Sequence, residues 1–301
     1  MTKRILSIDG GGIRGILPLA LLTEIEARRR PCADLFDMVA STSIGGIIAT
    51  GLAHRVPAQT LSEMLTDDGP AIFANPSLPV FGPKYNAAPL EGFLDQTFSG
   101  AMLNGITKPE LIVPTVDLIR PTSMFFKSWQ ARQDPAYNFA LKDAARATSA
   151  AETYFAPADI TSASGDRYLC VDGGTAINNP TIAAILEAEA MWPGEDDLRV
   201  LSLGTGIRTT PISPGNGSLG CWALEIVPLF QESQTSVLDH LAKWAAPRLV
   251  RCDIELGPAV NAAIDDASPK NIAALAALGR QFVTAEIDNA LVVLAPPVSM
   301  Q

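Results

Sequence analysis

The stretch that most constrains this chain is Asp37-Met38-Val39-Ala40-Ser41-Thr42-Ser43-Ile44-Gly45-Gly46. An apolar run beginning near Leu35 ends at Val39 and Ala40. A sharp turn follows, and Ile47 to Leu52 continue at helical spacing. Strand, turn and helix in so few residues lift Ser43 out of a sheet edge with a helix N-terminus behind it. This is the shape of a nucleophile elbow, whose usual pattern is G-x-S-x-G. Here Ser41 replaces the first glycine and puts a Cβ where the tight turn usually has none. The same residues also read as an ordinary βα loop with a Ser/Thr helix cap.

A second strand-loop-helix unit precedes it. Ile5 to Ile8 end at Asp9, Gly10-Gly11-Gly12-Ile13-Arg14-Gly15 follows, and a helix runs from Ile16 with Pro18 in its first turn. Gly10-x-Gly12-x-x-Gly15 satisfies the dinucleotide fingerprint literally, in the right strand-to-helix context. The acid that fingerprint expects would be Asp37, which starts its strand and so lies at the wrong end for a cofactor. No G-K-[ST] is present, which excludes a P-loop. The other use of such a loop is an oxyanion hole, because consecutive glycines expose backbone N–H groups at a helix N-terminus. Arg14 adds positive charge nearby, or is a surface residue of the first turn.

Strands alternating with helices imply a mostly parallel central sheet covered on both faces, a three-layer α/β/α arrangement. With 48% hydrophobic and 18% charged residues in 301, one large α/β domain over 1–301 is expected. Residues 57–105 lose regular punctuation and read as a cap-like insertion. Helices are expected within it at Thr60 to Leu65 and Pro89 to Phe98, with Phe73, Leu78, Val80, Phe81, Tyr85 and Phe93 interleaved. Residues 211–301 read as a helical C-terminal part, with helices from Cys221 to about Leu249 and from Asn271 to Leu291.

The net charge of −10 argues against a nucleic-acid partner and against electrostatic adsorption to anionic membrane, so any lipid contact must be mainly hydrophobic. Cys32, Cys170, Cys221 and Cys252 are scattered and read as reduced core thiols. Met1-Thr2-Lys3-Arg4 runs straight into a strand with no apolar leader, and no run is long enough to span a bilayer, so a cytoplasmic protein is expected.

A third informative stretch is the strand Arg167 to Val171, broken by Asp172-Gly173-Gly174 and followed by Asn178-Asn179-Pro180 and a helix from Thr181 to Ala190. By itself Asp-Gly-Gly is simply a turn. Further strands are read at Glu110 to Leu118, Thr122 to Phe126 and Leu198 to Leu203, and a helix at Leu141 to Ala150.

Together these motifs resemble the patatin-like phospholipase family. Asp9-Gly10-Gly11-Gly12-Ile13-Arg14-Gly15 is similar to its D-G-G-G-x-R-G loop, Ser41 to Gly46 to its G-x-S-x-G-G elbow, and Asp172-Gly173-Gly174 to its D-G-[GA] box. Ala145 to Ala151 and Leu201 to Gly206 resemble two more landmarks, in the same order. The resemblance covers residues 4–206. It implies a lipid acyl hydrolase with Ser43 as nucleophile and Asp172 as its one catalytic partner. It also implies an oxyanion loop of Gly10, Gly11, Gly12 and Arg14, with the Gly11 and Gly12 N–H groups on the oxyanion. No metal or cofactor is implied. The partners implied are a phospholipid or other lipid ester and a transient membrane surface. Some bacterial members are regulated effectors, so an activating ligand or partner stays open. A dyad also implies a pH profile without a histidine limb near about 6.5.

Three other readings remain. One is a Ser-His-Asp esterase using His240, in the chain order of α/β-hydrolases. The segment Ser236 to Leu241 is helix-like, however, and offers no strand-end loop. Another is a nucleotide- or phosphate-binding module using Gly10 to Gly15. The last is a catalytically silent scaffold.

Overall fold

A computed structural model describes residues 2–77, 82–195, 197–212, 215, 217 and 219–296. Leu78, Val80 and Phe81 of the 57–105 segment and the side chain of Cys221 lie outside the described residues. In chain order the strands are β1 (Thr2–Ile8), β2 (Met38–Ser41), β3 (Glu110–Asp117), β4 (Thr122–Lys127), β5 (Ala158–Thr161), β6 (Arg167–Val171), β7 (Asp197–Leu203), β8 (Ile207–Arg208), β9 (Leu249–Cys252) and β10 (Glu255–Leu256). The helices are α1 (Ile16–Arg28), α2 (Cys32–Leu35), α3 (Ile44–Ala53), α4 (Ala58–Ile72), α5 (Ala88–Phe98), α6 (Ser128–Gln133), α7 (Leu141–Thr148), α8 (Thr181–Met191), α9 (Leu219–Ala245) and α10 (Pro269–Leu294).

The two strand-loop-helix units form the centre. β1 and β2 are parallel, with Ile8 opposite Ser41, so the glycine loop and the elbow leave the sheet at the same edge. The sheet order is β5-β6-β3-β2-β1-β7-β9, with β4 also on β3. The run β3-β2-β1-β7-β9 is parallel, while β4, β5 and β6 pair antiparallel. Ligands in parallel sheets sit beyond the carboxyl ends of the strands, which is where both loops emerge.

Alternation along the strands feeds two apolar cores. Leu6, Ile8, Val39, Leu111 and Leu201 join the larger core, with residues of α1, α3, α4, α5, α7 and α10. Ile5, Met38, Ala40, Ile112 and Val200 face the other way, onto Ala184, Ile185 and Ala188 of α8 and Ala242 of α9. This is the expected three-layer arrangement. α3 is buried along its whole length. Gly45 is needed there, since a Cβ would stand 2.6 Å from the Ile8 carbonyl oxygen. That contact seats the elbow against the end of β1.

The sequence reading overran α9 and missed four strands, β5, β8, β9 and β10. α9 stops at Ala245, two residues before Pro247, and Leu249–Cys252 is not its tail but β9, parallel to β7. β5 is four residues long with no strong pattern. α4 is longer than expected and carries Pro70 inside it. Cys32, Cys170 and Cys252 are buried free thiols. Among the described residues no helix is long and apolar enough to cross a membrane.

Candidate active site

Ser43 stands between β2 and α3 with φ 55° and ψ −124°. A non-glycine residue in such a conformation costs about 1–3 kcal/mol, and neighbours must hold it there. They do. Ser43 N–H donates to Thr148 Oγ1 at 3.0 Å, and Ile47 N–H donates to the Ser43 carbonyl at 3.1 Å. Thr42 Oγ1 donates to the Ile177 carbonyl at 2.8 Å. Ser41, by contrast, is still paired strand, opposite Ile8. The position where glycine is usual therefore needs no left-handed backbone, and a Cβ is accommodated. The serine hydroxyl pays instead: Ser41 Oγ is buried and has no hydrogen-bond partner among the described residues.

Asp172 reaches the same edge from β6. That strand pairs with β3 only through Val116–Val171 and Asp117–Cys170, and Thr115 Oγ1 donates to the Val171 carbonyl at 2.7 Å. Gly173 then passes so close to β3 that a Cβ would stand 2.4 Å from the Pro114 carbonyl oxygen. Asp172 Oδ1 accepts from Gly174 N–H at 2.7 Å, and Oδ2 accepts from Ser43 Oγ at 2.7 Å. The carboxyl is buried, and burial raises its pKa to about 7; Glu152 adds to the rise, while the Gly174 and Ser43 hydrogen bonds oppose it.

The glycine loop lies over this pair. Gly10 N–H is already donated to the Asn178 carbonyl at 3.2 Å, and Thr205 Oγ1 donates to the Gly10 carbonyl at 2.7 Å. Ile13 N–H donates to the Ile264 carbonyl at 2.8 Å. The N–H groups of Gly11 and Gly12 have no partner among the described residues, and both glycines line the cavity that holds Ser43. They are the loop's open donors, so Gly10 serves to position the loop. Protein packs closely against the glycines. A Cβ on Gly11 would stand 2.2 Å from Thr205 Oγ1, and one on Gly12 (φ 57°) 2.0 Å from the Ile264 oxygen.

The root of the loop is fixed by a residue with no sequence signal. Arg251 on β9 makes a two-pronged contact with Asp9, 2.6 and 3.0 Å, and also donates to Ser202 Oγ and Asp253 Oδ2. Burial raises Asp9 to about 6, with Arg251 opposing. Thr148 and Thr205 fall inside stretches whose similarity was noted, but their roles as partners of Ser43 and Gly10 could not be read from residue type.

Arg14 is not a surface residue. It is 8% exposed, and its Nε donates to the Gly11 carbonyl at 3.4 Å. It lines a neighbouring cavity and not the one around Ser43, so it meets the Ser43 cavity only through the loop.

The Ser43 cavity measures about 730 Å³ with its open mouth included. Ile44 and Ile47 of α3, Leu65 and Ile72 of α4, and Leu90 and Phe93 of α5 give it an apolar wall. Neither histidine lines it. His54 follows the end of α3 against Phe98, and His240 is on the exposed face of α9, its ring 5.3 Å from that of Trp244. Asp37 lies at the opposite strand end, where it accepts from Arg4 N–H. Among the described residues no group of three or more His, Cys, Asp or Glu side chains is arranged to hold a metal ion.

A hydroxyl donating to a buried carboxylate, beside two free N–H groups and an apolar slot, can attack an ester carbonyl and hold the resulting oxyanion. Comparison with known proteins gives the same direction. The model of a family described as patatin-like phospholipase matches residues 6–185. A cGAMP-activated phospholipase of Vibrio cholerae is 30% identical, over 94% of this chain and 91% of that protein. One of Pseudomonas aeruginosa is 32% identical, over 81% and 75%. The structure of VipD from Legionella pneumophila aligns over 96% of this chain and 67% of its own, with 12% identity and a TM-score of 0.45.

Proposed function

This chain belongs to the patatin-like phospholipase family, a family of lipid ester hydrolases, and we propose that it hydrolyses carboxylic esters of phospholipids through an acyl-enzyme on Ser43, with Asp172 as the one base. The observation that carries the reading is the 2.7 Å hydrogen bond from Ser43 Oγ to Asp172 Oδ2. It lies within the range of about 2.6–3.2 Å that direct proton transfer requires.

Asp172 takes the hydroxyl proton as Ser43 Oγ attacks the ester carbon. The tetrahedral oxyanion is held by Gly11 and Gly12 N–H, each such donor being worth about 3 kcal/mol in other hydrolases. Collapse expels the alcohol, which leaves with the proton from Asp172. A water then gives its proton to Asp172 and attacks the acyl-enzyme; as the fatty acid leaves, Asp172 returns that proton to Ser43 Oγ. A base with a pKa of about 7 is well matched to a proton it must both take and return near neutral pH. Residues 57–105 act as a cap in this reading, because α4 and α5 supply much of the apolar wall that would take the acyl chain.

The test is a fluorophosphonate probe, with a phospholipid and lysophospholipid panel read beside it. Labelling should map to Ser43 and vanish in Ser43→Ala, together with fatty-acid release. Labelling that survives Ser43→Ala sinks the assignment.

A further inference from the structure

Two segments from distant parts of the chain meet beside the Ser43 cavity, and one carboxylate joins them. The first lies between α4 and α5. There Lys84 N–H donates to the Thr153 carbonyl and Tyr85 N–H to the Tyr154 carbonyl, each at 2.8 Å. Tyr85 is buried, and its ring centroid lies 5.4 Å from that of Phe73 and 5.9 Å from that of Phe155. Phe73 and Phe155 line the Ser43 cavity. The second segment is the loop 257–268, between β10 and α10. Ile264 of this loop lines the same cavity, and its carbonyl accepts from Ile13 N–H at 2.8 Å, one residue after Gly12.

Asp265 is the joint. Its side chain is only 8% exposed, and its Oδ2 accepts from Tyr85 Oη at 2.8 Å and pairs with Lys84 Nζ. A carboxylate so buried is stable only while its donors stay on it. The aromatic wall of the slot is thus tied through Tyr85 to Asp265, and Asp265 is bonded to Ile264, whose oxygen presses on Gly12. Asp265 itself does not line the Ser43 cavity. An acyl chain in the slot lies many bonds from the ester carbonyl. Its binding raises kcat only if it improves alignment at that carbonyl. The contacts through Asp265 are a physical route for this.

Resting on the hydrolase reading above, we propose that Asp265 is a positioning residue that couples filling of the apolar slot to the setting of the Gly11 and Gly12 N–H groups. It acts through Ile264 and the glycine loop, without touching substrate.

The experiment reads kcat and KM separately on the p-nitrophenyl esters of acetate, butyrate and octanoate, for wild type, Asp265→Ala, Asp265→Asn and Tyr85→Phe. In wild type, kcat should rise with acyl length. Asp265→Ala should flatten that rise, losing about tenfold or more in kcat on octanoate and much less on acetate, while KM still falls with chain length. Tyr85→Phe keeps the ring packing and should flatten it in the same direction. Asp265→Asn keeps an acceptor for Tyr85 Oη and should retain part of the rise. A second readout is hydrogen exchange at the Ile13 amide, measured against Leu6 in β1. Asp265→Ala should speed exchange at Ile13 and not at Leu6. A kcat that is flat in wild type overturns the coupling. So does an equal loss on all three esters, which is what simple destabilisation gives. Unchanged relative exchange at Ile13 overturns the link to the loop. If wild type cleaves none of the esters, the hydrolase reading fails by itself, and the exchange measurement still supports or overturns the hold of Asp265 on the loop.

Discussion

At the scale of single residues, the elbow separates two demands that its motif combines. Ser43 bears the strained backbone, φ 55°, and Thr148 holds it; Ser41 is ordinary strand. The serine at the first glycine position is thus tolerated by the backbone but leaves a buried hydroxyl unpaired. Removing such a group without opening a large cavity recovers about 1 kcal/mol. Ser41→Ala should therefore raise the denaturation free energy by roughly that amount, read from urea unfolding. Asp172 also changes one expectation. A dyad suggested a pH profile free of any limb near a histidine value, yet burial puts Asp172 itself at about 7. kcat/KM should rise with pH through about 7 as Asp172 loses its proton, and the limb should persist in both His54→Ala and His240→Ala. The same shift has a sign for stability. The folded state holds the Asp172 proton more tightly than the unfolded chain does, so the contribution is full below the unfolded value of 3.8 and is lost as pH rises through about 7. Asp172→Asn should gain stability over wild type between pH 5 and 8, by up to about 1.4 kcal/mol for each pH unit over which the two states differ in protonation. Parallel unfolding curves at the two pH values check it.

At the scale of elements, the three units that build the site were legible because their loops carry glycine. β1 with its loop, β2 with its elbow and β6 with Asp172 each end in residues that only a tight turn or a close approach explains. β9 ends in none. It is four residues long, follows Pro247, and continues an apolar spacing that α9 had already set, so it reads as helix. Yet β9 delivers Arg251 to Asp9, and so a part of the chain with no recognisable motif fixes the root of the glycine loop. Arg251→Met would leave Asp9 buried without its cation, a loss of about 3–5 kcal/mol. Asp9 can escape part of that penalty by taking a proton, so the loss should be larger at pH 8 than at pH 5. Denaturant titrations at both pH values read this directly. Equal losses at the two would mean that Arg251 matters by packing and not by its charge.

At the scale of the whole molecule, the fold gathers three distant segments at one strand edge. The glycine loop follows β1, Ser43 follows β2, and Asp172 arrives on an antiparallel strand far along the chain. Order and residue type made these three readable from sequence. The hydrogen bonds that hold them, from Thr148, Thr205, Asn178 and Arg251, depend on contacts between segments and carry no local pattern. The same edge joins an apolar cavity walled by α3, α4 and α5 to a polar one beside Arg14.

The central claim is that Asp172, and no histidine, activates Ser43. The most direct measurement is kcat/KM on one phospholipid for Ser43→Ala, Asp172→Asn, His54→Ala and His240→Ala, each first shown to be folded by circular dichroism. Asp172→Asn should lose about as much activity as Ser43→Ala, and the two histidine variants should keep most of theirs. A folded but inactive His240→Ala beside an active Asp172→Asn would contradict the account and leave the Ser-His-Asp esterase in its place.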